Sequence, residues 1–415
     1  MNKLAILGGT PINAEPPTYI RWPVAGDVDR EAILRVLRSG VWGTLGPENK
    51  AFSEEYAAYC HVRHALPVVN GTVSLELILR ALGIGRGDDV ILPPYTFTAS
   101  ATSIAMVGAM PVFADIEPDT YTISAKSCER VVTPHTRAVI GVHLGGYPFD
   151  VDALKRFADR HGLYLIEDAA HAHGSEWRGR RAGSLGCAGS FSFQGSKNLN
   201  CGEGGCVTTN DSALYETLWS LHHNGRRFGD GSFAPPYLGT NARLAEWQCA
   251  LLRARMLRVD ADIDRRMENA AYLDKQLSQF PFFLPMKNDE RITRNALHLY
   301  VFRYRSEGLK DLPRAAFVKA LRAENVCDIA NGYSTPIYDM EFLRTEAFQK
   351  ATGSSFAPPS LENRKVNEHA AHAEGCWICH SSLLGTRSDM DRIIEAFARI
   401  ADQADAIKKA LTREE

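Results

Sequence analysis

Between residues 65 and 210, short β-forming runs alternate with helical patterns, and this alternation limits the possible folds more than any other feature of the chain. The seven runs are LPVVN, DVILPPY, MPVFADI, RAVIGVHL, LYLIEDA, GSFSF and GGCVTTN. In most of them apolar residues follow one another without regular alternation with polar residues, which is typical of strands buried on both faces of a parallel sheet. The pattern therefore predicts an α/β domain with a mainly parallel sheet between helices.

The rest of the chain predicts a second, smaller domain, because a chain of 415 residues is longer than those that usually fold around a single small hydrophobic core. Residues 241–280 are proline-free and rich in charge and in Leu, Met and Ile, which favours one or two helices. A strand-like LHLYVFRYRS and a helical LPRAAFVKALRAENV follow. We expect an N-terminal arm and large domain over residues 1–255 and a smaller α+β domain over residues 256–415.

Charge and cysteine content narrow the class of protein. The 47 basic and 49 acidic residues give a net charge of −2, without the basic excess that nucleic-acid binding requires. Charges or turn residues interrupt every long apolar run, so no membrane span is predicted. Nine cysteines and a start unlike a signal peptide favour free thiols and a cytoplasmic location.

Two motifs place polar residues at the ends of predicted strands. In VVNGTVSLE a helix is expected to begin at Thr72 or Val73. The free N–H groups at its start, near Gly71 and Thr72, are suited to binding a phosphate. An ordinary helix cap is the alternative interpretation. In LYLIEDAAHAHG, Asp168 ends a strand where ligands of α/β sheets bind. A capping role for Asp168, or a metal site with His171 and His173, is the alternative there.

The stretch SFSFQGSKNLNCGEGG contains a single lysine, Lys197, in the loop that follows the predicted strand GSFSF. Isolated lysines are usually surface charges. The aromatic strand before this lysine and the glycines after it instead favour a partly buried amine, whose lowered pKa would suit a nucleophile and base. A fourth motif, GCWICHSS, matches the haem-attachment pattern through Cys376, Cys379 and His380, but a buried strand explains it better.

The lysine, the carboxylate and the helix N-terminus together predict a site for pyridoxal 5′-phosphate (PLP). This cofactor carries an aldehyde that reacts with an amine, a pyridine nitrogen that an anion keeps protonated, and a phosphate. Lys197, Asp168 and the turn at Gly71 and Thr72 offer one partner for each. We therefore expect PLP as the cofactor and no metal.

The motifs LGGTP, LPPYTFTASATSIAMVGAMPVFADIEPDTYTI, EDAAHAHGSEWRGRRAGSLG, GSFSFQGSKNLNCGEGG and GTNARLAEWQCALLRARM resemble the DegT/DnrJ/EryC1/StrS family of sugar aminotransferases. The resemblance runs nearly end to end. It implies the PLP-dependent transferase fold of type I and a homodimer with active sites shared between subunits. It also implies that Lys197 bonds the cofactor aldehyde and that Asp168 pairs with the pyridinium nitrogen.

The same resemblance assigns the remaining site residues. Phe97 would stack on the cofactor ring, and His171 would lie near the ring hydroxyl. The phosphate contacts would come from Gly71, Thr72, Ser192 and, from the partner subunit, Asn241. For Phe97, Ser192 and Asn241 the residues alone suggest only core packing, a strand hydroxyl and a turn or helix cap. Loops carrying Trp42, Thr44, His298 and Tyr333 are the candidates for contacts with the acceptor, and a surface or core role is the alternative for each.

Within the family, DAAHAHGSEW, FSFQGSK and GEGG look most like glutamine-dependent aminotransferases acting on scyllo-inosose-type ketones and like 3-amino-5-hydroxybenzoate synthases. Asn200 and Cys201 depart from the small hydroxyl or alanine residues of those relatives. We expect transfer of an amino group from L-glutamine or L-glutamate to a keto-cyclitol or keto-sugar, as in aminocyclitol antibiotic biosynthesis. A nucleotide-linked keto-sugar is the alternative acceptor, and a regulatory or binding protein without catalysis is the alternative from another class.

Overall fold

The computed structural model describes residues 2–18, 21–229 and 235–411. These residues form fourteen strands, numbered in chain order: β1 (His64–Val68), β2 (Asp89–Leu92), β3 (Met110–Phe113), β4 (Thr136–Val142), β5 (Tyr164–Asp168), β6 (Glu176–Trp177), β7 (Arg180–Arg181), β8 (Ala188–Ser192), β9 (Gly205–Thr209), β10 (Phe283–Pro285), β11 (Ile292–Arg294), β12 (Leu299–Tyr304), β13 (Ile329–Ala330) and β14 (Gly375–Cys379).

The same residues form twelve α-helices. They are α1 (Asp27–Ser39), α2 (Pro47–Tyr59), α3 (Gly71–Ala81), α4 (Ala99–Met106), α5 (Ala125–Val131), α6 (Val151–His161), α7 (Ser212–His222), α8 (Glu246–Leu277), α9 (Arg314–Ala323), α10 (Glu346–Thr352), α11 (Lys365–His369) and α12 (Arg387–Leu411). Short 3₁₀ turns link several of them, including Leu144–Gly146 and His380–Leu384, and a π-helical turn spans Ala370–Glu374. None of the helices that the structure describes combines the length and hydrophobicity needed to cross a bilayer.

The seven predicted runs form one seven-stranded sheet with the order β1-β9-β8-β5-β4-β2-β3. The pairs from β8 to β3 are parallel, and only β9 runs against its neighbours. Successive residues of β2 enter different apolar cores, since Val90 and Leu92 pack in one and Ile91 in another. Both faces of the sheet are thus buried, as expected for continuously apolar strands. The predicted α/β class with a mainly parallel sheet is confirmed.

Residues 241–280 contain one helix, α8, which runs unbroken for 32 residues. Leu252 and Ile263 pack with α2 in the core beside the large sheet, whereas Leu273 and Leu277 belong to the core of the second sheet. That sheet has four antiparallel strands in the order β10-β12-β14-β13. The predicted division between residues 255 and 256 falls within α8 and stays a prediction.

Candidate active site

A cavity of about 580 Å³ opens at the carboxyl end of the parallel strands. This is the edge at which α/β sheets bind ligands, because strand ends and helix N-termini converge there. Nine of the twelve predicted site residues line the cavity: Gly71, Thr72, Phe97, Asp168, His171, Ser192, Lys197, His298 and Tyr333. The structure therefore brings together residues that are as far apart as positions 71 and 333.

Lys197 lies in the loop after β8 and reaches the cavity. Burial lowers the pKa of its amine to about 8, and the nearby Asp168 carboxylate opposes part of that shift. At pH 7 about one amine in ten is then unprotonated, compared with about one in three thousand at the ordinary lysine pKa. Lys197 therefore has the basicity of a nucleophile and proton acceptor at neutral pH.

Asp168 is the last residue of β5 and is buried. Its Oδ2 accepts a hydrogen bond from the Ser100 hydroxyl at 2.8 Å, and its Oδ1 accepts one from the Ala170 N–H at 3.3 Å. Burial raises the pKa of this carboxyl, while these two hydrogen bonds and the charge of Lys197 lower it. A buried carboxylate of this kind is suited to a cationic ligand group, which is the role a pyridinium nitrogen would fill.

The adjacent Glu167 is fully buried and has a different function. Its carboxylate accepts hydrogen bonds from the N–H groups of Gly183, Leu185 and Gly186 and contacts His143 Nε2 at 3.0 Å. Because side chains alternate across a strand, Glu167 points away from the side to which Asp168 points. Glu167 thus connects the sheet to the turn before β8, and Asp168 remains for the ligand.

His171 lines the cavity as a neutral imidazole. The N–H of Gly145 donates to its Nδ1 at 3.3 Å, which places the proton on Nε2. Burial and the charge of Lys197 hold its pKa well below the ordinary value. Gly145 has φ +64°, and an added Cβ would lie 3.0 Å from the Leu299 carbonyl oxygen, so this turn favours glycine.

Three histidine rings lie in a row at the cavity, and the first two of them, His171 and His298, line it. The ring centroids of His171 and His298 are 4.2 Å apart, and those of His298 and His380 are 5.3 Å apart. His298 Nδ1 donates to Asn198 Oδ1 at 3.1 Å, because the Asn198 amide nitrogen already donates to the Ala296 carbonyl. Burial holds the pKa of His298 well below its usual range and lowers that of His380 to about 3. His298 therefore supports His171 as well as lining the cavity.

His173 belongs to the core. Its Nε2 donates to the Ser192 carbonyl at 2.8 Å, and its Nδ1 accepts from the Tyr56 hydroxyl at 2.9 Å. Both ring nitrogens are thus hydrogen-bonded, and burial lowers the pKa of His173 to about 3. Across residues 2–18, 21–229 and 235–411, no three His, Cys, Asp or Glu side chains come together in a way that could hold a metal ion.

The N-terminus of α3, where the sequence predicts an anion site, lies at the cavity. Asn70 caps this helix by accepting from the Val73 N–H at 2.8 Å. Gly71 and Thr72, whose N–H groups have no acceptor within the helix, line the cavity. Helix α3 begins at Gly71, one or two residues before the predicted start at Thr72 or Val73. An added Cβ at Gly71 would lie 2.8 Å from Ser192 Cβ, so only glycine lets the helix end pack this closely against Ser192. The donor set fits a phosphate.

Three predicted residues lie outside the cavity lining of the described chain. Trp42 is half exposed, with its indole N–H donating to the Leu37 carbonyl, and Thr44 belongs to the same loop. Asn241 bridges to His223, and its Oδ1 accepts from Arg243 Nε at 2.8 Å. The roles predicted for these three residues stay predictions.

Sequence reasoning missed several lining residues, among them Gln194, Ser196, Glu203 and Trp377. Glu203 lies in the GEGG segment beside Lys197, so its proximity was a usable signal. Trp377 comes from the second sheet, where β14 pairs with β12 and places Trp377 opposite Val301. The CWICH pattern that contains it forms this strand, in which Cys376 is fully buried, as its interpretation as a strand predicted.

The fold and this site define an aminotransferase, an enzyme that transfers amino groups. The model of the DegT/DnrJ/EryC1/StrS aminotransferase family matches residues 24–395, and the chain belongs to that family, whose members are of the PLP-dependent kind. The family predicted from the sequence is therefore confirmed.

Three known proteins illustrate the similarity. A putative L-glutamine:3-amino-2,3-dideoxy-scyllo-inosose aminotransferase of Streptoalloteichus tenebrarius is 36% identical, covering 98% of this chain and 100% of that relative. An L-glutamine:2-deoxy-scyllo-inosose aminotransferase of Streptomyces kanamyceticus is 35% identical, covering 96% of this chain and 97% of the relative. The crystal structure of 3-amino-5-hydroxybenzoic acid synthase superposes with a TM-score of 0.84 at 32% identity, covering 94% of this chain and 100% of that one.

Proposed function

We propose that the protein uses PLP, bound through Lys197, to transfer an amino group from L-glutamine or L-glutamate to a ketone on a cyclitol ring. One observation carries the proposal: an amine with a pKa of about 8, a buried carboxylate and a helix N-terminus line the same cavity. Lys197, Asp168 and the Gly71–Thr72 turn with Ser192 match the aldehyde, ring nitrogen and phosphate of PLP. When bound, PLP supplies an aldehyde for covalent attachment and an electron-withdrawing ring.

The protein's own residues would bind, orient and move protons. Lys197 Nζ would accept the proton from the donor α-carbon and would later return a proton to the acceptor carbon. Asp168, whose Oδ2 accepts a hydrogen bond from Ser100, would stabilise positive charge on the ligand. His171 donates from Nε2 to a ligand oxygen, because the Gly145 N–H occupies its other nitrogen.

The charge of the cavity favours an uncharged polyol acceptor. Among the described residues that line the cavity, Lys197 is the one cation, whereas Asp168 and Glu203 are acids. A nucleotide-linked sugar brings a diphosphate that would need additional cations. The names of the similar proteins, two of which act on scyllo-inosose derivatives, support the same choice. A keto-cyclitol is therefore the proposed acceptor, in an aminocyclitol pathway.

We further propose a homodimer with shared active sites. Phe97 lines the cavity yet is 60% exposed, and Leu238, three residues before Asn241, is 86% exposed. Such apolar exposure beside a site is expected where a second subunit covers it. Asn241 would then approach the phosphate end of the partner's cavity.

A substrate panel tests the proposed reaction. The enzyme, loaded with PLP and L-glutamine, is incubated with keto-cyclitols and, in parallel, with nucleotide-linked keto-sugars. Amination is followed by mass spectrometry of the product and by the appearance of the keto acid. We expect an amino-cyclitol; conversion of nucleotide-linked sugars alone would contradict the proposed acceptor, and no amination of any ketone would contradict the proposed reaction.

A further inference from the structure

The backbone carbonyl of Lys197 accepts two side-chain hydrogen bonds. Asn200 Nδ2 donates to it at 2.9 Å, and the Trp22 indole N–H donates at 3.1 Å. The Lys197 N–H in turn donates to the Gln194 carbonyl at 2.8 Å. Both backbone polar groups of the lysine are therefore bonded, which fixes the main chain from which its side chain extends.

Asn200 also connects the Lys197 loop to buried residues in the protein interior. Asn200 is 1% exposed, and its Oδ1 accepts from Arg255 Nη1 on α8. Arg255 Nε donates to Asp29 Oδ1 at 3.0 Å, and both of these side chains are buried. Asp29 Oδ2 also accepts from the Gly26 N–H at 2.8 Å and so caps α1. A continuous set of bonds thus runs from α1 through α8 to the loop of Lys197.

Each member of this set constrains the next. A guanidinium only donates, so Arg255 requires the amide oxygen of Asn200 to face it, which turns the amide nitrogen toward the Lys197 carbonyl. Asp29 balances the buried charge of Arg255, since an unpaired guanidinium would be unfavourable there. The side chains of Asn200, Arg255 and Asp29 are absent from the cavity lining of the described chain, so they act on the site through Lys197.

We propose that Trp22 and the set of Asn200, Arg255 and Asp29 are positioning residues, which hold the Lys197 loop from two sides so that its amine stays inside the cavity. The proposal rests on the proposed function in that Lys197 is taken as the reactive lysine. If the loop loosens, the amine gains water. The desolvation that lowers its pKa then weakens, and the pKa moves toward the ordinary lysine value.

The test measures the pKa of Lys197 directly in the full-length protein freed of PLP. Trace acetic anhydride labels lysines only when they are unprotonated, and mass spectrometry of the Lys197 peptide across neutral and alkaline pH gives the pKa. Asn200→Leu keeps a side chain of similar shape and removes the hydrogen bonds to the Lys197 carbonyl and to Arg255. Arg255→Met removes the guanidinium that donates to Asn200. We expect the wild-type pKa of about 8 to rise by about one pH unit in both variants.

Arg399→Met is the matched control. Arg399 contacts the fully buried Glu324 at 3.5 Å, so the variant removes an inward-facing ion pair far from the Lys197 loop in sequence. Trp22→Phe removes the other donor to the Lys197 carbonyl from a half-buried position and keeps an aromatic ring beside His380. For Trp22→Phe we expect a smaller rise in the pKa of Lys197, and this variant decides alone if the first two fail to fold.

Two results would overturn the proposal. One is an unchanged Lys197 pKa in folded Asn200→Leu or, if that variant does not fold, in Trp22→Phe. The other is an equal shift in Arg399→Met, because general destabilisation would then be the cause. The proposed function fails separately: it is wrong if wild-type Lys197 forms no reducible bond with PLP, and the labelling result does not depend on that bond.

Discussion

Ser100 donates a hydrogen bond from its hydroxyl to Oδ2 of Asp168 over 2.8 Å, and both residues are buried. Burial pushes the pKa of the carboxyl upward, and the bond from Ser100 is the largest opposing influence. Ser100, on α4, thus opposes the rise in the pKa of Asp168, and no local sequence pattern singles this serine out. The relationship matters because the proposed chemistry needs this carboxylate as an anion.

We predict that Ser100→Ala moves the acidic limb of the pH–activity profile to higher pH. A lost bond to a charged group is worth roughly 1.5–3 kcal/mol, which corresponds to about one to two pH units. The sign follows from the carboxyl: its pKa rises further, so it becomes protonated at a higher pH. Ser103→Ala is the control, because Ser103 donates to the Ser100 carbonyl and not to Asp168. An acidic limb at the same pH in both variants would contradict this role.

The buried histidines predict a loss of stability in acid. The pKa values of His171 and His298 lie well below 6.5, and those of His173 and His380 are about 3. The unfolded chain binds these protons more readily, so the stabilisation is present above pH 6.5 and is lost as the pH falls toward 3. Each such histidine lowers the free energy of unfolding by about 1.4 kcal/mol per pH unit in that range.

The variant His380→Phe isolates one of these contributions. It keeps an aromatic ring next to His298 and removes one group that takes up a proton on unfolding. Urea unfolding at several pH values should show a dependence that is shallower by about one proton between pH 6 and 4. His135→Gln, at an exposed position, is the control. A slope as steep as that of the wild type would show that His380 is not held neutral by burial.

Shared active sites predict complementation between two inactive variants. Lys197→Ala and Asn241→Ala each damage every site of their own homodimer. In a mixed dimer, one site carries both substitutions and the other carries neither. Random reassociation of equal amounts should therefore restore about a quarter of the wild-type sites. Activity after mixing is compared with that of each variant alone, and the absence of any gain in verified mixed dimers would contradict a role for Asn241 across the interface.

The large sheet and most of the cavity were predictable from the sequence, for a local physical reason. Each strand is marked by its own apolar run, and in parallel sheets the strand ends meet at one edge. Asp168, Lys197 and the turn at Gly71 could therefore be grouped before any tertiary contact was known. For the helix from Glu246 to Leu277 the sequence predicts one or two helices, because charge and apolar content alone do not separate one long helix from two shorter ones.

The contacts that orient the reactive groups were not predictable, because they join residues distant in the chain. Trp22 donates a hydrogen bond to the Lys197 carbonyl although the two residues are 175 positions apart, and Arg255 donates to Asn200 over a separation of 55 positions. Trp377 reaches the cavity only through the pairing of β12 with β14. No local sequence pattern predicts these contacts, because they depend on how α8 and the second sheet pack against the large sheet.

The most direct test of the account is the site of covalent attachment of PLP. The full-length protein is incubated with PLP, reduced with borohydride and digested, and the modified peptide is identified by mass spectrometry. The account predicts one phosphopyridoxyl group, on Lys197, and loss of both this group and the transaminase activity in Lys197→Ala. Modification of a different lysine, no modification at all, or full turnover by Lys197→Ala would contradict it.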